Sequence, residues 1–163
     1  MGIRKSSFEK NILSRWRFGI YLLRHLPLGW VAGLRVEQYD ALGATVSVPY
    51  CFITKNPFRS IYFAPLSMAA ELASGLPALG AVKKAGQPVS MLVVGMQAEY
   101  LKKARSRTHF RCNDRAAFET AVTEALKNPD GTRFTSLSEG TDSKGEMVAR
   151  FHIIWTFKQK KTL

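Results

Sequence analysis

Pro65-Leu66-Ser67-Met68-Ala69-Ala70-Glu71-Leu72-Ala73 is the stretch on which the fold turns. Apart from Glu71 it is apolar or small throughout. Pro65 suits the first turn of a helix, where its missing N–H costs nothing. A helix of this composition has no polar face to offer water, so it belongs in the centre of a domain. Gly75 and Pro77 are expected to close it, giving a helix over 65–75. Glu71 is then a carboxyl carried into apolar surroundings, where desolvation should raise its pKa.

Working outward, strands come in pairs on both sides of this helix. Residues 30–39 and 44–53 alternate apolar and polar, joined by the hairpin link Asp40-Ala41-Leu42-Gly43. Residues 89–101 and 108–112 form a second pair across the basic turn Lys102-Lys103-Ala104-Arg105-Ser106-Arg107. In the first of these, period two puts Gln97 and Glu99 on one face with Met91, Val93 and Leu101. Asp114 reads as the N-cap of a helix over 115–127, with Phe118, Ala121, Val122 and Ala125 in one apolar stripe. Strands over 132–138 and 146–157 follow the turn Asn128-Pro129-Asp130-Gly131. An α+β fold, a mainly antiparallel sheet wrapped around one central helix, fits this order.

The first 27 residues read as an amphipathic helix. Phe8, Ile12, Trp16, Ile20 and Leu23 recur at helical spacing among Lys10, Arg15, Arg17 and Arg24, and Pro27 and Gly29 end it. Such a helix either packs on the domain that follows or lies on a membrane surface; packing is the reading adopted here. The expected organisation is a packed helix over 1–27, one domain over 28–158 and a frayed basic tail over 159–163.

Composition narrows the function classes. The chain carries 24 Lys and Arg against 12 Asp and Glu, a formal net charge of +12. That field favours anionic partners: nucleic acid, an anionic membrane surface or a phosphate-rich ligand. A solubilising basic surface explains the charge equally well. No nucleic-acid-binding signature accompanies it, so no specific nucleic-acid partner is expected, and any membrane contact is expected to be weak. Cys51 and Cys112 both fall in expected strands and read as buried thiols, which suits a cytoplasmic setting. His25, His109 and His152 are far apart and no Cys-x-x-Cys occurs, so no metal site is expected. No secretory signal or uninterrupted run of about 18 apolar residues stands out.

The run Asn56-Pro57-Phe58-Arg59-Ser60-Ile61-Tyr62-Phe63-Ala64 leads directly into the central helix. Together with Glu71 it resembles the signature of the hotdog-fold thioesterase superfamily, in its PaaI-like branch or a related subfamily of unknown function. That branch carries an Asn before the central helix, a Gly-Thr-x-His-Gly-Gly-like run, and an acidic residue inside the helix. Asn56 and Glu71 match the polar ends at the same separation, and Ser60 matches the hydroxyl. Tyr62 stands where the branch has His, and Phe63-Ala64 where it has paired glycines. Tyr100-Leu101-Lys102-Lys103-Ala104 is similar to the family's strand end, and the resemblance covers about residues 30–157.

The resemblance implies hydrolysis of acyl-CoA or an acyl-carrier thioester by a homodimer or dimer of dimers, with the site between protomers. It implies no cofactor, coenzyme A being part of the substrate. Glu71 would be base or nucleophile, with Asn56, Ser60 and Tyr62 positioning the thioester or water. The backbone N–H groups of Phe63 and Ala64 would hold the oxyanion. Lys102, Lys103 and Arg105 would meet the phosphates of coenzyme A. Each residue also has an ordinary structural reading: Glu71 in an interface ion pair, Asn56 and Ser60 in a turn, Tyr62 in packing, the cations on a solvated turn.

Overall fold

The computed structural model describes residues 7–160. Residues 1–6 of the expected N-terminal helix and residues 161–163 of the expected tail lie outside them. Helices α1 (Ser7–Leu13), α2 (Arg15–His25) and α3 (Pro27–Val31) precede strands β1 (Arg35–Tyr39) and β2 (Ala44–Val48). Helix α4 (Phe63–Ala85) comes next, followed by β3 (Val89–Tyr100), β4 (Thr108–Cys112), α5 (Arg115–Ala125), β5 (Thr132–Thr141) and β6 (Met147–Gln159). The six strands form one sheet in the order β1-β2-β4-β5-β6-β3, and every pairing is antiparallel.

The sheet wraps α4. Ala69, Ala70, Ala73 and Ala78 of the helix are fully buried, as are Val46, Phe110 and Phe151 of the strands. Helix α5 lies beside α4 and seats Phe118 edge-on against Phe134, Trp155 and Phe157. Each such buried ring contributes up to about 3 kcal/mol. The inward side of β6 is Ala149, Phe151, Ile153, Trp155 and Phe157, as its alternation requires.

Several local expectations are corrected. Helix α4 does not stop at Gly75 and Pro77; it runs to Ala85, and Gly86 in the left-handed region caps it. An interior proline costs about 3 kcal/mol, but continuation buries Leu76, Ala78 and Ala81. Strand β2 ends at Val48, before Pro49, so Cys51 sits in an exposed turn, not in a strand. Its thiol accepts or donates a hydrogen bond with the Thr54 hydroxyl, which lowers its pKa, whereas burial pushes Cys112 up to about 12. In β3 a bulge between Val93 and Gly95 shifts the phase. Gln97 and Glu99 pair with His152 and Arg150, on the side opposite Met91 and Val93.

The N-terminal helix is also broken. Ser14 is extended (φ −80°, ψ 112°), and Pro27 opens α3 as well as ending α2. The break rotates α2, so Phe18 and Leu22 are the residues that pack, following Ile12 of α1. Trp16, Ile20 and Leu23, expected in the packed stripe, face outward. At the other end, Gln159 is the last strand residue and the Lys160 N–H donates to the Pro88 carbonyl at 2.8 Å.

Gly43 illustrates how tightly the β1–β2 hairpin meets β4. A Cβ there would overlap the Cys112 carbonyl oxygen, a backbone atom that cannot rotate away. Gly43→Ala should therefore destabilise the chain by about 3 kcal/mol, read as a lower urea midpoint with an unchanged slope.

Candidate functional site

The chain entering α4 is shaped by Asn56. Its Oδ1 accepts from the Phe58 N–H (3.0 Å), the Ser60 N–H (3.2 Å) and the Ser60 hydroxyl (3.2 Å). The Asn56 N–H donates to the Ser60 carbonyl at 2.8 Å, closing the loop. Arg59 at its tip holds φ +59°, a left-handed conformation that costs a side-chain-bearing residue energy. Ile61 N–H donates to the Ala104 carbonyl (2.7 Å) and Tyr62 N–H to the Thr54 carbonyl (2.8 Å). The loop is thus pinned on both sides, and it delivers Tyr62 as the N-cap of α4.

Tyr62 makes no side-chain capping bond. The N–H groups of Phe63 and Ala64, at the first two helical positions, have no acceptor among the described residues. Pro65 follows with no N–H at all. Two unpaired amides at the start of a 23-residue helix form a partial positive charge.

Beside them opens a cleft of about 500 Å³. Asn56, Ser60, Tyr62 and Phe63 line it, with Lys102 and Lys103 from the end of β3. Phe58, Leu66, Tyr100 and Leu101 give it apolar walls. Phe58 and Leu66 escaped the sequence reading because isolated apolar residues carry no signal for a cleft. The Tyr62 and Phe63 rings pack tilted at 4.5 Å, and both remain about half exposed (46% and 52%).

The basic residues divide. Lys102 makes an exposed pair with Glu146, worth little to stability, and lies 3.9 Å from the more buried Asp142. Lys103 holds its ammonium 5.9 Å from the Phe58 ring centre. Arg105 is exposed and outside the cleft lining.

Glu71 is not part of this cleft. It lies two turns further along α4, about 12 Å up the axis from Phe63. Its Oε1 leans toward Gly75, 3.3 Å from where a Cβ on that glycine would stand, next to the Trp155 indole. Trp155 Nε1–H donates to Ser74 Oγ (3.1 Å), and that hydroxyl donates to the Glu71 carbonyl (3.0 Å), locking the turn. Among the described residues the Glu71 carboxyl has no ion-pair partner, and burial alone raises its pKa. The chain therefore carries two groups: a cleft at the helix start, and an unpartnered carboxyl on the helix flank.

A six-stranded antiparallel sheet wrapped on a long central helix defines a hotdog-fold protein. A Pseudomonas aeruginosa protein described as of unknown function and as a "probable thioesterase" has the same fold, with a TM-score of 0.76 at 19% identity over 92% of this chain and 99% of that one. A thioesterase of Haemophilus influenzae gives 0.61 at 9% identity over 90% and 91%. A mutant thioesterase of P. aeruginosa gives 0.64 at 15% identity over 94% and 100%. No curated protein matches the chain. The chain belongs to the family described as a domain of unknown function, DUF4442, whose model matches residues 14–157.

Proposed function

We propose that the protein hydrolyses acyl thioesters of coenzyme A or of an acyl carrier, as a symmetric dimer whose sites are each built from two chains. The observation that carries this reading is the pair of unpaired amides, Phe63 and Ala64, beside an apolar cleft. Such a pair suits the oxyanion that forms when a thioester carbonyl is attacked. The acyl group would lie against Phe58, Leu66 and Tyr100, and Lys102 and Lys103 at the end of β3 would meet phosphates. The thioesterase names of structural neighbours support the same chemistry.

Two observations favour the dimer. Glu71 points away from the cleft of its own chain, so a partner is needed to bring a carboxylate to the bound thioester. Strand β3 is a 12-residue sheet edge bearing exposed Leu92, Val94 and Met96, the kind of edge that pairs with another strand. Two free cysteines, one of them exposed, suit the proposed cytoplasmic setting. No helix among the described residues is long and apolar enough to cross a membrane.

One observation favours a second reading, acyl-thioester binding without hydrolysis. The Asn56 Oδ1 is spent on its own loop and Nδ2 donates to the Ile61 carbonyl at 3.5 Å, so the side chain is largely committed to the loop and has one N–H left for a ligand. A chain-length panel of acyl-CoAs separates the two. The expected result is release of free thiol, followed with a thiol-reactive dye, and strongest for one range of acyl length. Saturable binding with no thiol release across the panel would establish the binding reading instead.

A further inference from the structure

Helix α2 has two apolar faces. Phe18 and Leu22 are buried against the domain, while Trp16 (82% exposed), Ile20 and Leu23 face outward, uncovered by any of the described residues. The outward residues stand at positions i, i+4 and i+7, one stripe of the helix. Trp30 of α3 joins them across a shared hollow, and Leu28 (73% exposed) stands nearby in the same short helix. The stripe has a basic border: at about 100° per residue, Arg15 falls on one side of it and Arg17 and Arg24 on the other. Arg17 is steadied by donating to Asn11 Oδ1 at 2.9 Å.

We propose that the outer face of α2 with α3 is a docking surface for an anionic lipid bilayer. Trp16, Ile20, Leu23 and Trp30 would enter the boundary between headgroups and acyl chains. Arg15, Arg17 and Arg24 would meet lipid phosphates. Charge selects the occupant. The chain carries a net +12, and a second copy would set the same arginines against each other. A nucleic acid would satisfy the arginines but leave the apolar stripe in water. An anionic bilayer satisfies both, because tryptophan and arginine are suited to the membrane interface. A second hollow, of about 220 Å³ between α2 and β1, continues from this face and is lined by two basic residues, Arg15 and Arg35, giving a headgroup phosphate a basic recess. The proposal stands apart from the thioesterase reading, since none of its residues lines the α4 cleft.

The test is sedimentation of the full chain with vesicles of equimolar phosphatidylglycerol and phosphatidylcholine, beside vesicles of phosphatidylcholine alone. Binding is expected to the anionic vesicles only and to weaken with added salt. It should carry a blue shift in fluorescence from Trp16 and Trp30, since Trp155 is already buried. The double variant Trp16→Ser with Leu23→Ser should lose at least about tenfold in partitioning. Arg24→Glu, which leaves the apolar stripe intact, should lose about fivefold or more. All three side chains are outside the core, so circular dichroism should be unchanged. Failure to bind anionic vesicles, equal binding to neutral ones, or wild-type binding by both variants would overturn the proposal. So would binding to duplex DNA or self-association through Trp16 without vesicle binding.

Discussion

Glu71→Gln is expected to lower thioester hydrolysis by about two to four orders of magnitude while leaving acyl-CoA binding in place. In the proposed reaction a water oxygen would attack the thioester carbon as the ionised Glu71 takes its proton, and the carbonyl oxygen would become an anion held by the Phe63 and Ala64 amides. Collapse would then expel the thiolate sulfur, which takes the proton back from Glu71, leaving acid and free thiol. Burial raises the Glu71 pKa, so the rate should climb with pH through a value above the ordinary glutamate range. Stability should move the other way. The folded chain holds this proton more tightly than the unfolded chain, so its contribution is full below the ordinary glutamate pKa and is lost as pH rises through the folded value. Glu71→Gln removes that loss and should melt higher than the parent at pH 8, the difference shrinking in acid. A variant with undiminished thiol release would remove Glu71 from the mechanism. Lost activity without the pH-dependent gain in stability would mean that the carboxyl is solvated or paired in the working assembly.

The architecture was legible in the sequence because its signals were strong and local. A helix apolar on all sides belongs at the centre, and the hairpins β1–β2 and β5–β6 pair as their turns require. The expected pairing of β3 with β4 across residues 102–107 is corrected: β3 pairs with β6, and β4 lies between β2 and β5, because a turn between two strands does not oblige them to be neighbours. The errors came where one phase was carried too far. Counting by two through β3 put Gln97 and Glu99 on the Met91 side, because a bulge at Val94 leaves no mark in composition. Counting by helical turns from Phe8 put Trp16 in the core, because Ser14 breaks the helix without a proline or glycine to announce it. Pro77 misled in the opposite sense: burial on every side of α4 outweighs one missing hydrogen bond. Within the site, Asn56, Ser60, Tyr62 and Phe63 line one cleft because they are close in sequence. Glu71 lies outside that cleft, and in the proposed dimer it would reach the partner's cleft, an arrangement that residue spacing within one chain does not encode.

Mixing two inactive variants should restore hydrolysis if each site takes its carboxylate from the partner subunit. The second variant is Phe63→Pro. Position 63 is the first residue of α4, where proline is tolerated because that N–H is unpaired in the native helix. Tyr62 before it is already extended (φ −63°, ψ 148°), as a residue preceding proline prefers. The substitution therefore removes one oxyanion donor with little strain, and hydrolysis should fall by about two to three orders of magnitude. Phe63→Ala, which keeps the N–H, should retain most activity, so that loss of the ring is told apart from loss of the donor. Unfolded and refolded together in equal amounts, Glu71→Gln and Phe63→Pro chains form mixed dimers as half of the population. One of the two sites in each mixed dimer then combines an intact Phe63 amide with an intact Glu71. Roughly a quarter of native activity should return, since a two-fold dimer makes both sites from the same pair of surfaces. If a single chain supplied both groups, every site would lack one of them and mixing would restore nothing. That outcome would require Glu71 to swing from Gly75 toward its own helix start, and the two-chain site would have to be abandoned.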